Sequence, residues 1–163
     1  MYQLMSKIWG PKIWYLLHHV SYNYNDSPSY NEKNIYYKFF HYIPNIIPCS
    51  ICREFYIKFI KKYPIISYLE NKNTLIDWVI ILHNYVNFKL KKPILDRPVI
   101  DKLYIHLDMN IIIELLIILE NKYRHNYYII FFTLLIGVFP NKNIRYNLLT
   151  TSPNVFKNFI KSL

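Results

Sequence analysis

The stretch "WVIILHNYVNFKLKKP", residues 78–93, decides how this chain folds. With Leu75 before it, the apolar residues Val79, Leu82, Val86 and Leu90 recur at helical spacing as far as Pro93. That pattern predicts a helix opening near Thr74, with Asp77 three residues on as its capping partner. His83, Val86, Asn87 and Leu90 fall at i, i+3, i+4 and i+7, so they share one helical face. The face offers an imidazole, an amide and apolar packing to a single flat ligand, and Lys89 and Lys92 could neutralise phosphates. For any one of these polar residues, a plain interruption of a core stripe is the simpler reading. A histidine and two asparagines, Asn84 and Asn87, inside one apolar helix are costly unless each is satisfied, so the group says more than its members.

Working outward, the rest of the chain is also helical in period. Gly10-Pro11 reads as a helix start, proline being harmless at the first helical position, and residues 11–22 place Ile13, Leu16, Leu17 and Val20 on one side. A polar loop ends near Glu32, and "KNIYYKFFHYI" follows in helical register. Pro44 and Pro48 interrupt the chain before a helix over 50–63, which Pro64 stops. "ILDRPVIDKLY" reads as a proline-containing connection leading to a short helix. The tail predicts helices near 109–123 and 126–136 with Gly137 as a C-terminal cap, then a last one starting at Ser152-Pro153. No strand alternation or repeat competes, so the fold class is all-α.

Apolar residues make up 53% of 163, enough to bury a core, so one domain with an appended element is the simplest organisation. There is no alanine, glycine occurs twice, and Ile, Asn, Tyr and Lys dominate, a skew typical of an A+T-rich coding sequence. The net charge of +10 is read as lysine bias spread over solvated faces. No nucleic-acid signature accompanies it, and no nucleic-acid partner is expected. The start "MYQLMSKIWGPK" lacks the plan of a signal peptide. The most apolar run, residues 127–139, falls short of the roughly 17–25 residues a membrane helix needs. A buried core helix is therefore favoured there over membrane association through 109–139.

The two cysteines, Cys49 and Cys52, lie in "IIPCSICREFY", residues 46–56. They could form a metal half-site, a staple or a redox couple. A structural zinc site needs four ligands, and no H-x₃₋₅-H pair completes one, so no metal is expected. A disulfide closing so small a loop adds little stability. Cysteines at a helix start experience its partial positive charge, which favours thiolate and suits redox cycling.

Three blocks in order, "WGPKIWYLLH", "PCSICREF" and "WVIILHNYVNFKLKKP", resemble the FAD-linked sulfhydryl (thiol) oxidases of the Erv/augmenter-of-liver-regeneration type, whose patterns are G-R-x-x-W-x-x-L-H, P-C-x-x-C and W-x₄-H-N-x-V-N-x-K-L-x-K-P. The resemblance covers residues 8–104 and implies a four-helix bundle with a short fifth helix, usually a homodimer. An FAD-binding domain over 1–104 would then precede a C-terminal helical extension over 105–163, packed on the domain or membrane-associated. By the same resemblance Gly10, Trp14, His18, Trp78, His83, Asn84, Val86, Asn87, Lys89, Leu90, Lys92 and Tyr104 would line the FAD site. Asp96 and Asp101 fall where the family has acidic residues. Cys52 would pass electrons to FAD and Cys49 would meet thiol-bearing client proteins, with O₂ as final acceptor giving H₂O₂.

The chain also departs from the family pattern. Pro11 replaces the family arginine and Tyr104 a tryptophan. Ile80 and Arg97 stand where many members have a structural disulfide, which suggests that the tail supplies the missing restraint. No third cysteine is present to act as a shuttle, so electrons would enter directly at Cys49 or through a separate protein. Small size, residue skew and tail suit a member encoded by a large DNA virus, located in host cytoplasm or virion. The alternative is a non-catalytic helical interaction or membrane-associated module that kept the fold.

Overall fold

A computed structural model describes residues 2–122, 125–139 and 141–151. Among these there are eight α-helices and no strand: α1 (Tyr2–Tyr22), α2 (Tyr30–Tyr42), α3 (Ser50–Lys62), α4 (Lys72–Lys89), α5 (Arg97–Tyr104), α6 (Met109–Lys122), α7 (His125–Val138) and α8 (Lys142–Thr151). The all-α reading holds. The first four form the bundle, with α4 packed against both α1 and α3, and short α5 lies against α1. α6 packs on α1 and α7 on α2. Ile112, Leu115, Leu116, Leu119, Phe131 and Phe132 thereby join Leu16, Val20, Phe39, Phe59, Leu75 and Trp78 in a single hydrophobic core. Among the described residues no helix is long and apolar enough to cross a membrane.

Several local expectations are corrected. Helix α1 begins at Tyr2, and Pro11 sits inside it. The carbonyl that Pro11 leaves unbonded belongs to Lys7, and both residues are exposed, so water can serve it. The cap of α4 is Asn71, which forms a reciprocal box with Thr74. Asp77 instead pairs with Arg97 across the α4–α5 connection. Gly137 lies within α7 and does not cap it. A Cβ built there would stand 2.9 Å from Ile35 Cγ2, so glycine is what lets α7 approach α2 closely. α8, capped by Asn141, adds a helix to those the pattern predicts, and the helix expected from Ser152 lies outside the described residues.

Hydroxyls tie the tail to the bundle. Tyr15 donates to the carbonyl of His106 at 2.5 Å and accepts from the backbone N–H of Asp108. Tyr36 donates to the Val138 carbonyl at 2.8 Å in a buried position. Lys12 meets Glu114 at 2.7 Å. His19 is buried beside Phe139 and Tyr15. Burial lowers its pKa, and a hydrogen bond to the Tyr104 backbone partly opposes this.

Candidate functional site

Helices α1, α4 and α5 bring four planar side chains together. Trp14 stacks on His83 with centroids 4.0 Å apart and planes 8° from parallel. Tyr104 stacks on His18 at 4.4 Å and 11°. The two imidazoles are joined by a hydrogen bond between His18 Nε2 and His83 Nδ1 of 2.9 Å. Trp14 and His18 are one helical turn apart on α1, which is why both meet the same face of α4.

Both histidines are kept neutral. Burial, then the nearby His83, brings the pKa of His18 down to about 3; burial, then the charge of Lys92, brings that of His83 to about 4. One ring therefore donates the shared proton and the other accepts. The unfolded chain titrates these groups near 6.5, so below that pH it binds protons the folded chain excludes. Stability present above pH 6.5 is lost as pH falls towards 4, at about 1.4 kcal/mol per proton per pH unit. The melting temperature should fall across this window; a flat profile would contradict neutral buried rings.

The C-terminal end of α4 is shaped by its backbone. Lys91 has φ 54, the left-handed region glycine prefers. Its N–H bonds the Phe88 carbonyl at 3.2 Å and the Lys92 N–H bonds that of Asn87 at 2.8 Å, closing a Schellman turn. Asn87, buried, also donates from Nδ2 to the Pro93 carbonyl at 3.1 Å. Asn84 spends both ends of its amide on Leu95, at 2.8 and 3.0 Å. Both asparagines thus satisfy the chain that returns towards α5, and each amide keeps capacity for another partner. Lys89, Leu90 and Lys92 are exposed at this end, Val86 is half-buried, and the Lys89 ammonium lies over the Tyr85 ring at 5.5 Å.

Trp78 takes no part in the ring cluster. It is fully buried, bonds the Tyr63 carbonyl through Nε1 at 2.9 Å and packs edge-on against Phe40 and Phe59. Cys49 and Cys52 form a disulfide with Cα atoms 5.2 Å apart. Cys49 is the N-cap of α3, its sulfur accepting from the Cys52 N–H at 3.2 Å. Both cysteines are half-buried and pack against the core.

Sequence reasoning missed the residues that hold α5. Tyr22 bonds Asp101, and Asp96 caps α5 by accepting from the Val99 N–H at 3.1 Å. Arg97 reaches back to Asp77 at 2.9 Å and Asn73 at 3.0 Å on α4. This polar clip ties the start of α5 to the first turns of α4. Half-exposed, it contributes at most about 1 kcal/mol.

The site suits FAD. The Nδ1 of His18 is buried with no hydrogen-bond partner among the described residues, a polar atom left for a ligand. A Cβ placed on Gly10, one turn before Trp14, meets nothing within 4 Å, so space is open on that side of α1. Trp14 and Tyr104 are half-buried at the edge of this cluster, and Lys92 is close enough for its charge to act on His83. Among the described residues no group of three or more His, Cys, Asp or Glu is placed to hold a metal ion.

Comparison with known proteins points the same way. Residues 11–105 match the model of the Erv1/Alr family. The chain is 32% identical over 87 residues to a putative FAD-linked sulfhydryl oxidase of Invertebrate iridescent virus 3, covering 53% of this chain and 59% of that protein. It is 34% identical over 91 residues to a probable FAD-linked sulfhydryl oxidase of Acanthamoeba polyphaga mimivirus, covering 55% and 64%. Against the FAD-linked sulfhydryl oxidase of African swine fever virus (isolate Pig/Kenya/KEN-50/1950) it is 34% identical over 90 residues, covering 53% and 71%. The chain thus spans less than two thirds of the first two of these proteins.

Proposed function

Because the chain belongs to the Erv1/Alr family, we propose that it is an FAD-dependent thiol oxidase that makes disulfides in client proteins. The observation that carries the reading is a disulfide capping a bundle helix, in the same small fold as a neutral imidazole pair set between aromatic rings.

In this reading Trp14, His18, His83 and Tyr104 line the flavin, and His18 Nδ1 receives its otherwise missing partner there. Val86 and Leu90 provide apolar contact, Asn84 and Asn87 hold the turn that aims Lys92, and Lys89 and Lys92 face the phosphates. Trp78 acts from the core by fixing α4 against α3. FAD, when bound, accepts two electrons from the dithiol and supplies them to O₂, giving H₂O₂. A client thiolate attacks Cys49, forming a client–Cys49 disulfide and freeing Cys52 as thiolate. A second client thiolate attacks the client's sulfur, releasing the oxidised client and leaving Cys49 as thiolate. The Cys52 N–H at Cys49 Sγ and the α3 N-terminus both stabilise negative sulfur.

Viral relatives support an origin in a large DNA virus and action in the virion or in host cytoplasm, the latter a compartment whose glutathione pool opposes disulfides. A homodimer belongs to the same proposal. Since α6 and α7 cover faces of α1 and α2, it would form on other surfaces, and sedimentation decides between dimer and monomer.

The purified full chain should be yellow, carry FAD and consume O₂ when given a dithiol. A colourless protein with no thiol-dependent O₂ uptake would favour the non-catalytic module instead. Gly10→Ala tests the cofactor face separately. The extra methyl finds open space and improves helix propensity by about 1 kcal/mol, so the flavin-free protein should melt higher. FAD affinity should nonetheless drop roughly tenfold or more, about 1.4 kcal/mol, if the ligand packs against that face. Unchanged affinity would move the flavin elsewhere.

A further inference from the structure

Arg53 directly follows Cys52, and no step above uses it. It lies four residues after Cys49, so the two share a face of α3, and helical side chains lean towards the N-terminus. Its guanidinium accordingly reaches back to the chain two residues before Cys49, where Nη2 donates to the Ile47 carbonyl at 3.0 Å. Its own backbone N–H bonds the Cys49 carbonyl at 3.0 Å. The residue therefore brackets the Cys49 turn from both sides. Its Nε is buried without a hydrogen-bond partner, and among the described residues no carboxylate pairs with it. A half-buried cation with an idle donor and no counter-ion is unfavourable while the sulfurs are joined, because the disulfide is neutral. Reduction creates an anion in this turn.

We propose that Arg53 is a positioning residue for Cys49, a standing positive charge beside its turn that makes this sulfur the better departing group. The inference rests on the assignment of Cys49 to the client side. In the first exchange a client thiolate attacks Cys49 Sγ; the Cys49–Cys52 bond breaks and its electron pair leaves on Cys52. In the second, another client thiolate attacks the client sulfur. The client disulfide forms, the bond to Cys49 breaks, and the pair leaves on Cys49. The client loses two electrons and the cysteine pair gains two. The second exchange speeds up as the departing thiolate becomes more stable, which is where a nearby guanidinium acts.

The test is the pH dependence of iodoacetamide alkylation of the fully reduced full chain, kept anaerobic and read separately at Cys49 and Cys52 by peptide mass spectrometry. Wild-type Cys49 should titrate well below the ordinary thiol value of about 8.5. Arg53→Met should raise the Cys49 midpoint by about one pH unit, a tenfold loss of thiolate at lower pH, and move Cys52 less. Arg53→Lys, which keeps charge but not the fork, should stay within a few tenths of wild type. A wild-type midpoint near 8.5 overturns the proposal whether or not the variants fold. So does an unmoved Arg53→Met profile, or an Arg53→Lys shift as large as that of Arg53→Met, which would mark a mere staple on Ile47. The readout needs no oxidase activity. Shifted profiles in a protein that oxidises no thiol would remove the functional reading and leave the Arg53–Cys49 coupling standing.

Discussion

Cys49→Ser and Cys52→Ser should each cut thiol-driven O₂ uptake by at least a hundredfold while leaving FAD bound. The two residues are the only cysteines in the chain, so no other sulfur can take over either role. Without Cys49 the client has no exposed end of a disulfide to attack. Without Cys52 the client can form a mixed disulfide only after external oxidation, and no dithiol stands ready to reduce the flavin. Neither side chain contributes to the imidazole–ring cluster, and a disulfide closing so short a loop adds little to stability. Both variants should therefore fold, melt within a few degrees of wild type and remain yellow. Oxygen uptake with a dithiol, normalised to bound flavin, measures the effect; either variant at wild-type rate would end the assigned roles.

The second large effect is expected from ending the chain at residue 104. Removing α6–α8 uncovers faces of α1 and α2 that the full chain buries. It deletes Ile112, Leu115, Leu116, Leu119, Phe131 and Phe132 from the core, each worth about 1.5–3 kcal/mol when fully buried. A few such losses match a domain's whole stability of about 5–15 kcal/mol. Tyr36 loses the Val138 carbonyl and Tyr15 loses both its backbone partners, hydrogen bonds worth about 1 kcal/mol each once water replaces them. The Arg97 clip remains but is too exposed to compensate. The truncated chain should be insoluble or unfolded at temperatures where the full chain is native. A soluble 1–104 fragment with an unchanged melting temperature would contradict the packing role of the tail.

The fold was legible where one physical signal was strong and local. The α4 block combined helical apolar spacing with polar residues that make no sense in a core unless used, and those residues do meet partners: His83 with His18 and Trp14, Asn84 with Leu95, Asn87 with Pro93. Turn and cap rules were weaker guides. Pro11 reads as a start because it usually is one, yet an exposed position lets the helix pass through it. Gly137 reads as a cap, but its small size serves the approach to Ile35, a contact between residues far apart in sequence. The same reason hid Tyr15, Tyr22 and Arg97, whose partners lie 91, 79 and 20–24 residues away. Arg53 carries no signal in the sequence, because its place beside the cysteine turn shows only in the bond its guanidinium makes to the Ile47 carbonyl.

The central claim is that the Cys49–Cys52 pair feeds electrons to a flavin held among Trp14, His18, His83 and Tyr104. An anaerobic titration of the oxidised full chain with dithiothreitol, followed at the flavin absorbance band, tests it most directly. The account predicts that wild-type flavin bleaches rapidly once about two dithiols per chain are added, one consumed by the disulfide and one by the cofactor. In the Cys52→Ser protein the band should persist on that timescale. Wild-type flavin that stays oxidised, or Cys52→Ser flavin that bleaches at the wild-type rate, would contradict it.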